Sequence, residues 1–180
     1  MSSLENHKNF MNRTYLTISV LGKNLNLDVK YRNNPIIELD KQEKNINLYL
    51  PKKYKTMDNV NIINMAIEKM YDEIAETEIE NSMEKVRVIL GFAPEDYKIE
   101  RMRESFCKVK NKVLIINPDI VKYNRKIIET TLLQAFCKSQ YKVNSKAYKQ
   151  ALEAGIEKYE KMKYQLIINR KTVRNIAKVS

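Results

Sequence analysis

Four apolar residues, Val113-Leu114-Ile115-Ile116, are halted by Asn117-Pro118, and the stretch that follows constrains this chain more than any other. A short β-branched run closed by a turn pair predicts a buried strand. Downstream, Ile127, Ile128, Thr131, Leu132, Ala135 and Phe136 recur at helical spacing, which predicts an amphipathic helix over 125–140. Val143-Asn144-Ser145 breaks it. Tyr148, Ala151, Leu152, Ile156, Tyr159 and Met162 then mark the single apolar face of a second helix.

Toward the N-terminus, apolar and polar residues alternate instead. Leu16, Ile18 and Val20 predict a strand to about Leu21, with a turn at Gly22-Lys23-Asn24. Leu25, Leu27, Val29 and Tyr31 carry a second strand, Ile36 to Leu39 a third, and Ile46, Leu48 and Leu50 a fourth that Pro51 ends. Four such strands predict an antiparallel meander over 14–50. Val60, Ile63, Ile67, Met70, Ile74 and Ile79 predict a helix from about 58 to 90, with Asp58 as N-cap and Gly91 as C-cap. Its acidic side (Glu68, Asp72, Glu73, Glu76, Glu80 and Glu84) reads as a solvated face, since no loop gathers these carboxylates around a point. Tyr97 to Arg103 alternates as one more strand. Residues 1–13 read as a disordered polar tail, 14–165 as one domain, and 166–180 as a basic C-terminal extension that lengthens the last helix or hangs free.

This order of elements resembles the YgjP-like zinc metallopeptidases, relatives of the SprT-type proteases. In that family a strand ending in Asn leads into a helix carrying His-Glu-x-x-His. Six residues after the second His comes Asn-His-Ser-x-x-Phe-Trp, which opens the helix that supplies the third zinc ligand. Val143-Asn144-Ser145-Lys146-Ala147-Tyr148 is similar to this second motif, with Asn144 where the His stands. Counting back places His-Glu-x-x-His on Gln134, Ala135, Phe136, Cys137 and Lys138. Of the family's Trp-Gly-Ser-Cys before the Asn-ended strand, only Cys107 matches. The resemblance implies an α+β fold: an N-terminal β-meander, a long helix, a strand pair, then two C-terminal helices in a zincin-like core. It also implies a zinc peptidase, and for that chemistry the residues are missing.

A peptidase zinc needs neutral imidazoles or carboxylates as ligands and a general base beside the metal-bound water. The chain holds one histidine, His7, in the polar tail. Lys138 sets an ammonium where a dication belongs. The expectation is therefore no metal, no cofactor and no peptidase catalysis, with Gln134, Ala135, Lys138 and Asn144 as vestigial positions. Cys107 and Cys137 lack the orienting base that a cysteine hydrolase requires, so both read as structural thiols. Glu129 and Glu153 lie on the two helices flanking the vestigial pocket, but their spacing does not oblige them to face each other. Three glycines argue against phosphate loops, and two cysteines do not make a disulfide framework. No apolar run is long enough for a membrane span, and the N-terminus lacks the apolar core of a signal peptide, so a cytoplasmic location is expected.

Charge supplies the positive signal. Residues 1–100 carry 14 basic and 16 acidic side chains, net −2, whereas residues 101–180 carry 19 and 6, net +13. Lys108, Lys110 and Lys112 alternate, which predicts three ammonium groups on one strand face. Lys122, Arg125, Lys126, Lys138, Lys142, Lys146 and Lys149 follow, with Tyr123, Tyr141, Tyr148, Tyr159 and Tyr164 interleaved as candidate stacking platforms. An anionic partner is expected, nucleic acid or an acidic protein, bound with strong salt dependence. Lysine outnumbers arginine here, which weakens base-specific reading. Self-association of the acidic helix face over 68–84 with the basic half is the other reading, and oligomeric state stays open.

Overall fold

The computed structural model describes residues 16–42, 44–55 and 59–176, with side chains as far as Tyr164. His7, Asp58 and the tail over 1–13 lie outside the described residues. The fold is α+β, in two compact units. One is built on the residues up to Ile74 with Val121–Asn124, the other on Ala75–Ile120 and the residues from Arg125 onward. The long helix α1, Val60–Leu90, contributes to both.

In the first unit, β1 (Leu16–Val20), β2 (Lys23–Arg32), β3 (Glu38–Lys41) and β4 (Asn45–Pro51) form one sheet in the order β1-β2-β4-β3. Leu21 and Gly22 both have positive φ between paired Val20 and Lys23, the two-residue turn whose twist suits a hairpin. The expected meander is corrected at one joint: β2 pairs with β4 in parallel, and β3 lies outside β4 as an antiparallel edge. Burial explains the exchange. Ile46, Leu48 and Leu50 are fully buried, and Asn47 between them is nearly so, so β4 belongs in the sheet interior. Each such aliphatic contributes about 1.5–3 kcal/mol. The short polar Glu38-Leu39-Asp40-Lys41 suits an edge. The first half of α1 buries Ile67, Met70 and Tyr71, whose hydroxyl donates to the Ser19 carbonyl at 3.0 Å.

In the second unit α1 ends at Leu90, where Gly91 takes φ +78° and its N–H donates to the Arg87 carbonyl at 2.8 Å. A three-stranded sheet follows in the order β5-β7-β6, from β5 (Asp96–Ile99), β6 (Cys107–Lys110) and β7 (Val113–Ile116). β5 stops at Ile99, short of the expected Arg103. β5 runs parallel to β7 and β6 antiparallel to it. The expected strand through Lys112 is also corrected. Asn111 and Lys112 are a positive-φ turn between paired Lys110 and Val113, so only Lys108 and Lys110 share a face. After β7 the Asn117 side chain is buried; its amide donates to the Met102 carbonyl at 2.6 Å and its Oδ1 accepts from the Asp119 N–H at 3.0 Å.

α2 (Arg125–Gln140) packs against β6, β7 and α3 (Lys146–Ile176). The last helix thus continues through most of the basic extension. Gly155 on α3 has a packing reason: a Cβ there would stand 2.8 Å from Leu90 and 3.2 Å from Leu133, so only hydrogen allows this approach. No helix among the described residues is long and apolar enough to cross a membrane.

Candidate functional site

α2 has two faces, and each carries a candidate. Ile128, Leu132, Leu133 and Phe136 form its buried stripe, while Gln134 and Lys138, one turn apart, stand exposed on the other side. Ala135 is buried and offers only a methyl. Tyr141 N–H donates to the Cys137 carbonyl to finish the helix, and Asn144 then turns the chain at φ +66°. The Ser145 hydroxyl caps α3 by accepting the Tyr148 N–H at 3.1 Å.

The exposed face does not suit a zinc ion. Gln134 and Asn144 carry carboxamides and Lys138 a cation, in place of the imidazole, carboxylate or thiolate that zinc prefers. Cys107 feels the Lys138 charge, but burial outweighs it and pushes the thiol up to about 12, which keeps it protonated. Burial raises the buried Cys137 thiol as well. No group of three or more His, Cys, Asp or Glu that could hold a metal ion occurs among the described residues.

The basic residues divide into two sets. Lys112 is engaged by Glu95 at 2.6 Å, Arg125 by Glu78 at 2.7 Å and Lys126 by Glu160 at 2.8 Å, while Lys122 lies over the Tyr71 ring. Lys108, Lys110, Lys138, Lys142, Lys146 and Lys149 are exposed and make no ion pair among the described residues, Lys110 feeling only the field of Glu100. These six come from β6, the end of α2, the linker and the first turn of α3. The stacking expectation is narrowed. Tyr148 and Tyr159 are buried and Tyr141 meets Phe92 edge-on, which leaves Tyr123 and Tyr164 exposed.

On the opposite face of α2 the structure shows what the sequence reading missed. Glu129 is buried; its Oε1 accepts from Lys85 Nζ and its Oε2 from the Tyr159 hydroxyl, both at 2.7 Å. It sits in a groove of about 830 Å³ whose rim carries the Arg125–Glu78 pair and Lys163. Glu153 is exposed, so Glu129 and Glu153 form no carboxylate pair; Glu129 faces a phenol and an ammonium. Burial and this hydrogen bond raise the Tyr159 pKa. The available signal was a carboxylate set on the core stripe between Ile128 and Leu132, where a charge needs a partner.

A family model for the YgjP-like metallopeptidase domain matches residues 2–170. The chain belongs to the YgjP-like family. No curated protein and no solved structure matches it. Counted back from Val143-Asn144-Ser145, the family's metal-binding motif would fall on α2 at Gln134, Ala135 and Lys138, of which Gln134 and Lys138 are exposed and Ala135 is buried. The Glu129 network lies on the packed face and is no part of that motif.

Proposed function

We propose that this YgjP-like protein has lost the family's hydrolytic chemistry and acts as a binding module for an anionic partner. One observation carries the reading. Six lysines, Lys108, Lys110, Lys138, Lys142, Lys146 and Lys149, stand exposed on elements around the former metal face and form no salt bridge among the described residues, although Lys110 feels the Glu100 carboxylate. An ammonium at Lys138 repels a dication and attracts an anion, so one replacement accounts for both the loss and the gain. Single- or double-stranded nucleic acid is the first partner to test, because lysine contacts to phosphate require no sequence reading.

The experiment is fluorescence anisotropy of the pure protein with single- and double-stranded oligonucleotides across a salt series. Micromolar or tighter binding with a steep negative log–log salt slope is expected, weakened when Lys108, Lys138 and Lys142 are neutralised together. No binding at low salt moves the partner to an acidic protein. Metal analysis supplies the second arm: stoichiometric, tightly held zinc, or a peptidase activity abolished by Glu129→Gln or Cys137→Ala, overturns the inactive reading.

A further inference from the structure

We infer that the outer edge of β3, with the apolar groove beside it, is a docking site for an extended peptide whose side chains alternate between apolar and cationic. β3 pairs with β4 on one side, and no strand among the described residues pairs with the other. An edge of this kind offers its backbone N–H and C=O groups as a template for an added strand.

Beside that edge runs a groove of about 450 Å³ between the strand and the first half of α1. Ile37, just before β3, and Leu39 on it line one wall, and Ile62, Met65, Ala66 and Met70 the helix wall, with the Lys69–Glu73 pair at its margin. Met65 is 69% exposed and Ile37 41%, with Ile36 next to it at 61%. Large apolar side chains this exposed, gathered on one groove, mark a surface that is covered by something.

The charge pattern selects the occupant. Successive residues of an added strand point alternately into the groove and over the opposite sheet face. On that opposite face β3 presents Glu38 and Asp40. Arg32 neutralises Glu38 at 2.8 Å. Asp40 accepts hydrogen bonds from Gln42 and Asn47 but makes no ion pair among the described residues. The side chains of the added strand on that face are therefore cationic, and those in the groove apolar.

The same pattern rejects a second copy. Two β3 edges joined antiparallel about a two-fold axis place same-face residues opposite each other. Asp40 then meets Asp40, or Glu38 meets Asp40, and like charges directly opposite destabilise a sheet. The edge admits a cationic strand and discourages its own.

The test uses the full chain and two fluorescein-labelled eight-residue peptides, one alternating valine with lysine and the other valine with glutamate. Saturable binding of the valine–lysine peptide is expected, at least tenfold tighter than that of its glutamate counterpart. Bulk electrostatics favours the reverse order, because the protein carries a net charge of +11. Asp40→Lys should invert the preference, and Met65→Asp should weaken binding of the lysine peptide tenfold or more. Both positions are exposed, and an unchanged urea midpoint confirms that the fold is kept. Hydrogen exchange should slow at residues 38–41 on binding. Equal or tighter binding of the glutamate peptide, indifference to both substitutions, or protection confined to other residues overturns the proposal. So does a concentration-dependent dimer abolished by Met65→Asp, which would assign the edge to a second copy.

Discussion

Glu129 and Lys138 sit on one helix, half a turn of direction apart, and their environments are opposite. Glu129 is buried with a hydrogen bond on each carboxylate oxygen. Lys138 is exposed, makes no ion pair among the described residues, and has its charge near the Cys107 thiol. A buried ion pair rarely adds net stability over a well-packed apolar substitute, yet breaking one is costly. An exposed, unpaired lysine costs the fold almost nothing to change. The first face therefore fixes how α1, α2 and α3 meet, and the second is free to serve a partner.

The comparison breaks most readily at Glu129. Glu129→Ala strands the Tyr159 hydroxyl and empties part of the helix junction, so a loss of about 3 kcal/mol in urea unfolding is expected. The low end of the range applies because the Lys85 side chain is 48% exposed. An unchanged midpoint would mean that the network is ornamental. Tyr159→Phe removes the hydrogen bond to the charged Glu129 acceptor, together with the long one accepted from Lys163 Nζ at 3.5 Å, and should cost about 1.5 kcal/mol.

The phenol also predicts a pH dependence. Burial, then the Glu129 hydrogen bond, raises the Tyr159 pKa above its ordinary 10.0. A group whose folded pKa is raised contributes stability that is fully present below the unfolded value and fades as pH climbs past it. Stability should thus fall above about pH 10, and the fall should be shallower in Tyr159→Phe. Cys107 follows the same sign, its contribution fading from its ordinary 9.0 as pH rises toward about 12. Its thiol should resist iodoacetamide in the native protein at neutral pH and react once urea unfolds it.

The helices were legible in the sequence because their apolar periods are long: 60–90 and 125–140 emerge within about two residues. Strand existence was legible too, but pairing was not. Alternation in Ile46, Leu48 and Leu50 shows one buried face, and says nothing of which neighbour lies on each side. The parallel β2–β4 joint comes from long-range burial of β4 on both faces. Lys112 failed for a local reason. Lys-Asn-Lys reads as continued alternation until Asn111 is taken as a residue tolerant of positive φ. The exposure of Gln134 and Lys138 on one side of α2 was legible, because the apolar stripe of Ile128, Leu132 and Phe136 leaves that side to solvent. The Glu129 network was not, since its partners Lys85 and Tyr159 come from helices 44 residues before it and 30 after.

The smallest effect on stability is the one that best sharpens the contrast. Lys138→Ala should leave the urea midpoint within about 0.5 kcal/mol of the parent, as for an exposed substitution away from any network. The same change should lower the log–log salt slope of oligonucleotide binding by roughly 0.7–0.9, the share of one phosphate contact. Lys126→Ala is the matched control, because its ammonium is already held by Glu160 at 2.8 Å. A lysine with a resident counter-charge must give it up before meeting a phosphate, so its contribution to the slope is smaller. If Lys126→Ala lowers the slope as much as Lys138→Ala, the division of the basic half into engaged and free cations fails. Binding would then follow net charge alone, and the Lys138 face would lose its claim to be the site.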